Sequence, residues 1–184
     1  MNVIKTEFPG LVIIEPKVFP DDRGYFFESF NQQRLEQQGV SYKFIQDNQS
    51  RSVYGVVRGL HYQLNPYAQT KLVRVLQGSI LDVVVDIRTG SPTFGKWFSI
   101  ELSDTNFKQL LIPKGFAHGF SVLSETAVVL YKCDAFWNKE AERGIIFNDS
   151  SLKVDWKISA DKMLLSAKDQ VYPSFDKAEM NFTF

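Results

Sequence analysis

The stretch ILDVVVDIR (residues 80–88) decides the fold. In an extended chain Leu81, Val83, Val85 and Ile87 share one face, and Asp82, Val84, Asp86 and Arg88 share the other. That period of two belongs to a β-strand and not to a helix. Downstream, KWFSIEL (96–102) sets Lys96, Phe98, Ile100 and Leu102 against Trp97, Ser99 and Glu101. TAVVLYK (126–132) is a third β-branched run, with Ala127, Val129 and Tyr131 on one face. Turn signals separate these pieces: Gln77-Gly78-Ser79, Thr89-Gly90-Ser91-Pro92, Pro113-Lys114-Gly115 and Leu123-Ser124-Glu125. Strands at this spacing predict a sandwich or barrel. Helix is scarce. FNQQRLEQQG (30–39) predicts one short helix, capped by Ser29 or Asn31 and stopped by Gly39. LSAKDQ (165–170) predicts one more helical turn. With no repeat, linker or break in composition, the expectation is a single all-β domain over residues 1–184.

The bulk numbers agree and narrow the partners. A chain of 184 residues, 44% apolar with sixteen phenylalanines, can bury one continuous core. Its 21 basic and 21 acidic residues cancel. The balance gives no general pull toward nucleic acid or an anionic membrane, while leaving room for a local basic pocket. A single cysteine, Cys133, excludes an internal disulfide and suits a reducing compartment. There is no apolar run of membrane-spanning length, and the opening MNVIKTEFPG lacks an export signal's apolar region. A cytoplasmic location is the expectation.

Only two histidines occur, His61 in VVRGLHYQL (56–64) and His118 in PKGFAHGF (113–120). Histidine is the usual proton carrier near neutral pH, although a hydrogen-bonded structural role is the plainer reading of residue type alone. A metal site would need three or more protein ligands. Gln63 stands where a His-x-His pair would place its second imidazole, so no metal is expected. If His61 is a base, Asp82, Asp86 and Asp169 are candidate orienting carboxylates and the tyrosines candidate acids. Sequence spacing does not choose among them, because contacts between strands are non-local.

Seven blocks, in order, carry a resemblance: FPDDRGYFFESFN (19–31), FIQDNQS (44–50), VVRGLHYQ (56–63), AQTKLVRVLQGSILDVVVDIRTGSPTFGKW (68–97), IPKGFAHGF (112–120), LSETAVVLYK (123–132) and LLSAKD (164–169). From about Phe8 to Asp169 the chain resembles the dTDP-4-dehydrorhamnose 3,5-epimerases, cupin-type jelly-roll β-barrel enzymes of nucleotide-sugar metabolism. The resemblance implies a dTDP-4-keto-6-deoxy sugar as substrate, no cofactor and a homodimer. It implies His61 as base, Asp169 as the carboxylate that fixes its tautomer, Tyr131 as proton donor on the other face, and Lys71 beside the ketone. Arg23 and Arg58 resemble anion-binding arginines of the family. Glu28, Gln46, Asp47, Asn48, His118, Glu142 and Lys168 match its substrate-contact positions. Each has a plainer alternative: Asp169 closing a turn with Ser166, Lys71 solvated, Tyr131 a core aromatic, Glu142 and Lys168 surface charges. Arg58 and His61, three apart, would point to opposite faces of a regular strand unless Gly59 makes a bulge. The stretch FPGLVIIEPKVF (8–19) is the candidate for pairing with a second copy, the alternative being an ordinary edge strand of the monomer.

Two positions depart from the family pattern. YKCDAFWN (131–138) puts Phe136 and Trp137 where the family commonly has two tyrosines, and Gln49 stands where histidine is frequent. An indole has an N–H donor and no acidic hydroxyl. This keeps open an epimerase acting at only one of C3 and C5. The related sugar-nucleotide 3,4-ketoisomerases favour paired histidines, against Tyr62 and Gln63 here. A non-catalytic nucleotide-sugar-binding cupin would be expected to lack one of His61, Asp169, Tyr131 or Lys71. The tail VYPSFDKAEMNFTF (171–184) matches no motif.

Overall fold

The period-two stretches do become strands, and they stack as two antiparallel sheets. The structure, a computed structural model, describes residues 1–184. In chain order the elements are β1 (Asn2–Lys5), β2 (Val12–Glu15), β3 (Val18–Asp21), β4 (Gly24–Phe27), α1 (Gln32–Glu36), β5 (Gln46–Val53), β6 (Val57–Gln63), β7 (Lys71–Gln77), β8 (Ser79–Asp86), β9 (Trp97–Ser103), β10 (Gln109–Ile112), β11 (Phe116–Val122), β12 (Thr126–Cys133) and β13 (Glu142–Gly144). A six-stranded sheet runs β1-β2-β10-β7-β12-β5 and a five-stranded sheet β13-β6-β11-β8-β9, while β3 and β4 form a separate hairpin. The sheets face each other as a sandwich and do not close into a barrel. Two 3₁₀ turns, at Ala160–Lys162 and Phe175–Lys177, follow in the C-terminal segment. No helix is long and apolar enough to cross a membrane.

The interior between the sheets takes Val73, Val75, Ala127 and Val129 from one side and Ile80, Val84, Leu102, Phe116 and Phe120 from the other. The opening stretch is buried on both faces: Leu81, Val83, Val85 and Ile87 lie outside the sandwich, under Ile145, Leu152, Trp156 and Phe182. The uninterpreted tail is thus a second lid of core. The two inward acids are paired as burial requires. Asp82 meets His118, and Asp86 accepts from Arg88, Ser91 and Thr93 at 2.6 Å each. Burial alone would raise the Asp86 carboxyl; these donors hold it below the ordinary carboxylate range.

Local signals fared unevenly. Asn31, one of the two expected caps, accepts from the Arg34 amide at 3.0 Å, and Gly39 ends the turn with φ +82°. The expected helical turn at 165–170 is instead a tight turn, because Ser166 and Asp169 bond each other and leave no helix to propagate. β2 lies inside its sheet between β1 and β10, so that part of stretch 8–19 has no free edge. The free part is the β3–β4 hairpin. It packs through Tyr25 and Phe27 on Phe107 and pairs with no other strand of its chain.

Candidate active site

At one end of the sandwich, β6 from one sheet and β7 with β12 from the other enclose a cavity of about 230 Å³. An adjoining cavity of about 160 Å³ shares its His61, Lys71 and Tyr131. His61 rises from the five-stranded sheet, whereas Tyr131 and Lys71 rise from the six-stranded one, so base and acid candidates stand on facing walls.

The three candidate carboxylates each take a different basic side chain. Asp169 takes His61, its Oδ1 lying 2.5 Å from Nε2. Asp82 takes His118 at 2.9 Å, and Asp86 takes Arg88. Each imidazole thus has its own buried carboxylate. Asp169 also closes the Ser166 turn, so its plainer role and its orienting role coexist. Burial would push its carboxyl up, but the His61 hydrogen bond and charge, the Ser166 hydroxyl and the Gly59 amide hold it below the ordinary carboxylate range. A charged Asp169 keeps the imidazole proton on Nε2, leaving Nδ1 as the free acceptor.

Lys71 is half-buried with its ammonium 5.8 Å from the Tyr131 ring centroid. Desolvation lowers its pKa, opposed by Cys133 and Asp82, so a cation there gains from a developing negative charge. Burial raises the Tyr131 phenol, which keeps it protonated and able to donate. His118 is buried too, and desolvation lowers its pKa against the pull of Asp82.

Arg58 and His61 do reach the same side. Between His118↔His61 and Phe120↔Arg58 the β6 strand carries one residue more than β11. That bulge at Gly59 turns both side chains into the smaller cavity. The smaller cavity also takes His118 and Gln49, while Gln46, Asn48, Trp137, Glu142 and Lys168 line the larger one. Trp137 donates through Nε1 to Glu142 at 2.8 Å, and Lys168 pairs with the same carboxylate, so these are mouth residues and not free surface charges.

Three expected contacts lie elsewhere. Asp47 alternates with Gln46 and Asn48, and its carboxylate pairs with Lys132 at 3.0 Å on the opposite face of β5. Arg23, at the hairpin tip, is 90% exposed and bound to Asp21. Glu28 accepts from Asn31 at 3.0 Å beside Arg34, well outside the residues that line the cavity. Conversely, sequence reading passed over Gln63 as anything but a missing histidine. Its buried amide donates to the Tyr67 carbonyl at 2.6 Å and accepts from the Asn138 amide at 2.7 Å, fixing the loop that carries Trp137. Tyr172, edge-on to His61 at 5.5 Å, carried no local signal at all.

Comparison with known proteins matches this architecture. The family described as dTDP-4-dehydrorhamnose 3,5-epimerase matches residues 5–177. The chain is 56% identical over 170 residues to the dTDP-4-dehydrorhamnose 3,5-epimerase of Shigella flexneri, covering 92% of this chain and 93% of that protein. The crystal structure of the enzyme of that name from Elizabethkingia anophelis superposes with a TM-score of 0.92 at 53% identity, over 97% of this chain and 99% of that one. The dTDP-6-deoxy-D-glucose-3,5-epimerase of Legionella pneumophila, in complex with dTDP-4-keto-L-rhamnose, gives 0.91 at 48% identity, over 96% of this chain and 93% of that one. Matched over most of its length by the family and by relatives at about half identity, the chain belongs to the dTDP-4-dehydrorhamnose 3,5-epimerase family.

Proposed function

We propose that this protein epimerises a dTDP-linked 4-keto-6-deoxyhexose at C3 and C5, converting dTDP-4-dehydro-6-deoxyglucose to dTDP-4-dehydrorhamnose. The single observation that carries the mechanism is the facing arrangement of His61 with Asp169 on one wall and Tyr131 with Lys71 on the other. A ketone at C4 acidifies the hydrogens on C3 and C5. Nδ1 of His61 takes such a proton, and the bonding pair moves into an enolate with its charge on the C4 oxygen. The Lys71 ammonium stabilises that charge, and Asp169 steadies the imidazolium. The Tyr131 hydroxyl returns a proton to the opposite face, which inverts the carbon; exchange with water resets both groups. Reactant and product are at the same oxidation level, so the step balances with the proton alone. Arg58 suits the diphosphate through its guanidinium fork.

Incubation with the 4-keto-6-deoxyglucose nucleotide in heavy water tests this by NMR. Both H3 and H5 should exchange, with exchange abolished in His61→Ala; retention of both signals in the wild type would sink the reading. A second reading, epimerisation at one centre only, is favoured by Trp137, whose N–H is spent on Glu142 and which offers no hydroxyl. Exchange of one signal alone, regained at the other position in Trp137→Tyr, would select it.

The working form in this reading is a homodimer in the cytoplasm. Its support is the hairpin, which exposes Phe19, Phe26 and the Arg23 tip without pairing to its own sheets. A second copy that took this hairpin would give Arg23 and Glu28 a route to a cavity that their own chain does not offer. Light scattering should return twice the chain mass; a monomer with full turnover would overturn the dimer.

A further inference from the structure

Tyr172 follows the Asp169 turn and has no part in the chemistry above. Its ring stands edge-on to the His61 imidazole, with centroids 5.5 Å apart and planes at 63°. Its hydroxyl approaches Oε1 of Glu142 at 3.4 Å, and the Lys168 ammonium lies 5.8 Å from its ring centroid. Burial and the nearby Asp169 charge push the phenol up to about 12, so it stays neutral beside the base.

The neighbouring strand is cut to receive this ring. Gly144 of β13 is the register partner of His61. A Cβ at that position would come within 2.6–2.7 Å of three Tyr172 ring carbons. No left-handed backbone demands glycine at 144, so its missing side chain serves the space and not the conformation. The imidazole is therefore held twice, by Asp169 at Nε2 and by a T-shaped contact with the Tyr172 ring, and Nδ1 is outside the Asp169 bond.

We propose that Tyr172 is a positioning residue for the proton-abstracting base: seated on Gly144, its ring sets the His61 plane and keeps water from the His61–Asp169 hydrogen bond. What the base does rests on the epimerase reading; the contact itself is a property of the resting protein. Excluding water lowers the local dielectric and strengthens the bond that holds the imidazole, and catalytic groups must be held to a fraction of an ångström.

The test compares Tyr172→Ala, Tyr172→Phe and Gly144→Ala in the full chain. The readouts are kcat, KM and the far-downfield proton resonance of the His61–Asp169 hydrogen bond. In Tyr172→Ala kcat should fall about tenfold with KM changed less than about twofold, and the resonance should broaden by exchange with water. Tyr172→Phe, which keeps the ring, should recover the resonance and most of the kcat. Gly144→Ala, which evicts the ring, should repeat the alanine result. A sharp resonance with undiminished kcat in Tyr172→Ala would overturn the proposal. So would a phenylalanine variant as impaired as the alanine one, or absence of the resonance from the wild type. Should Tyr172→Ala not fold, Gly144→Ala decides on the same readouts. A wild type that exchanges neither H3 nor H5 would end the epimerase reading, while the resonance would still decide the role of Tyr172.

Discussion

The role proposed for His61 depends on a carboxylate 108 residues away, 2.5 Å from its Nε2 and almost wholly buried. Asp169→Asn keeps the shape and removes the charge, and an amide that donates to Nε2 would leave the imidazole in the wrong tautomer. We expect kcat to drop about 10²–10⁴-fold with binding of the nucleotide largely kept, read by steady-state kinetics and calorimetry. The same pair sets a pH dependence. The folded carboxyl lies below its unfolded value of about 4, so its stabilisation is complete above that pH and vanishes as pH falls through the depressed folded value. Denaturant titrations across that acid window should be steep for the wild type and flatter for Asp169→Asn; parallel curves would contradict the assignment.

At the scale of elements, the site depends on one irregularity in β6. Gly59 sits at φ +124°, and a Cβ there would come within 2.5 Å of the Gly119 Cα and 2.8 Å of the His118 carbonyl oxygen. Both obstacles are backbone, which cannot swing aside as a side chain can. Gly59→Ala should therefore cost about 1–3 kcal/mol in urea unfolding, with a larger proportional loss in turnover as Arg58 and His61 separate. Unchanged kcat in a folded variant would show that the bulge does not aim these groups. Glycine after arginine three residues from a histidine was the visible hint of it. The cap of α1 was equally legible, since Asn31 and its target amide are three residues apart. At 165–170 the Ser166–Asp169 turn was legible as the alternative to a helical turn, since its partners are also three residues apart, but the Asp169 bond to His61, more than a hundred residues earlier, was not.

Over the whole molecule, the five-stranded sheet is covered twice, by its partner sheet inside and by the chain after β13 outside. Phe182, 6% exposed, seals Tyr62 and the outer face of β8 near the chain's end, and Asn181 clasps Asn65 at 3.0–3.1 Å. Phe182→Ala should destabilise by about 3–5 kcal/mol, read as a lowered denaturant midpoint with the slope unchanged. A shift under about 1 kcal/mol would mean the tail is an appendage and not core. Period-two patterning and turn residues were enough, by themselves, to establish an all-β chain and most strand positions, because alternation is a local property of an extended backbone. Ordered motifs then carried the family, and with it the residues proposed here for proton transfer, His61 and Tyr131, and for their support, Lys71 and Asp169. Only the tertiary structure decided which carboxylate each imidazole takes, that Asp47 turns away to Lys132, that the hairpin carries Arg23 and Glu28 apart from the cavity, and that Tyr172 stands edge-on to His61. Apart from the hairpin's placement, those are contacts between residues tens to a hundred positions apart, chosen by burial and pairing across sheets, and no local pattern encodes them.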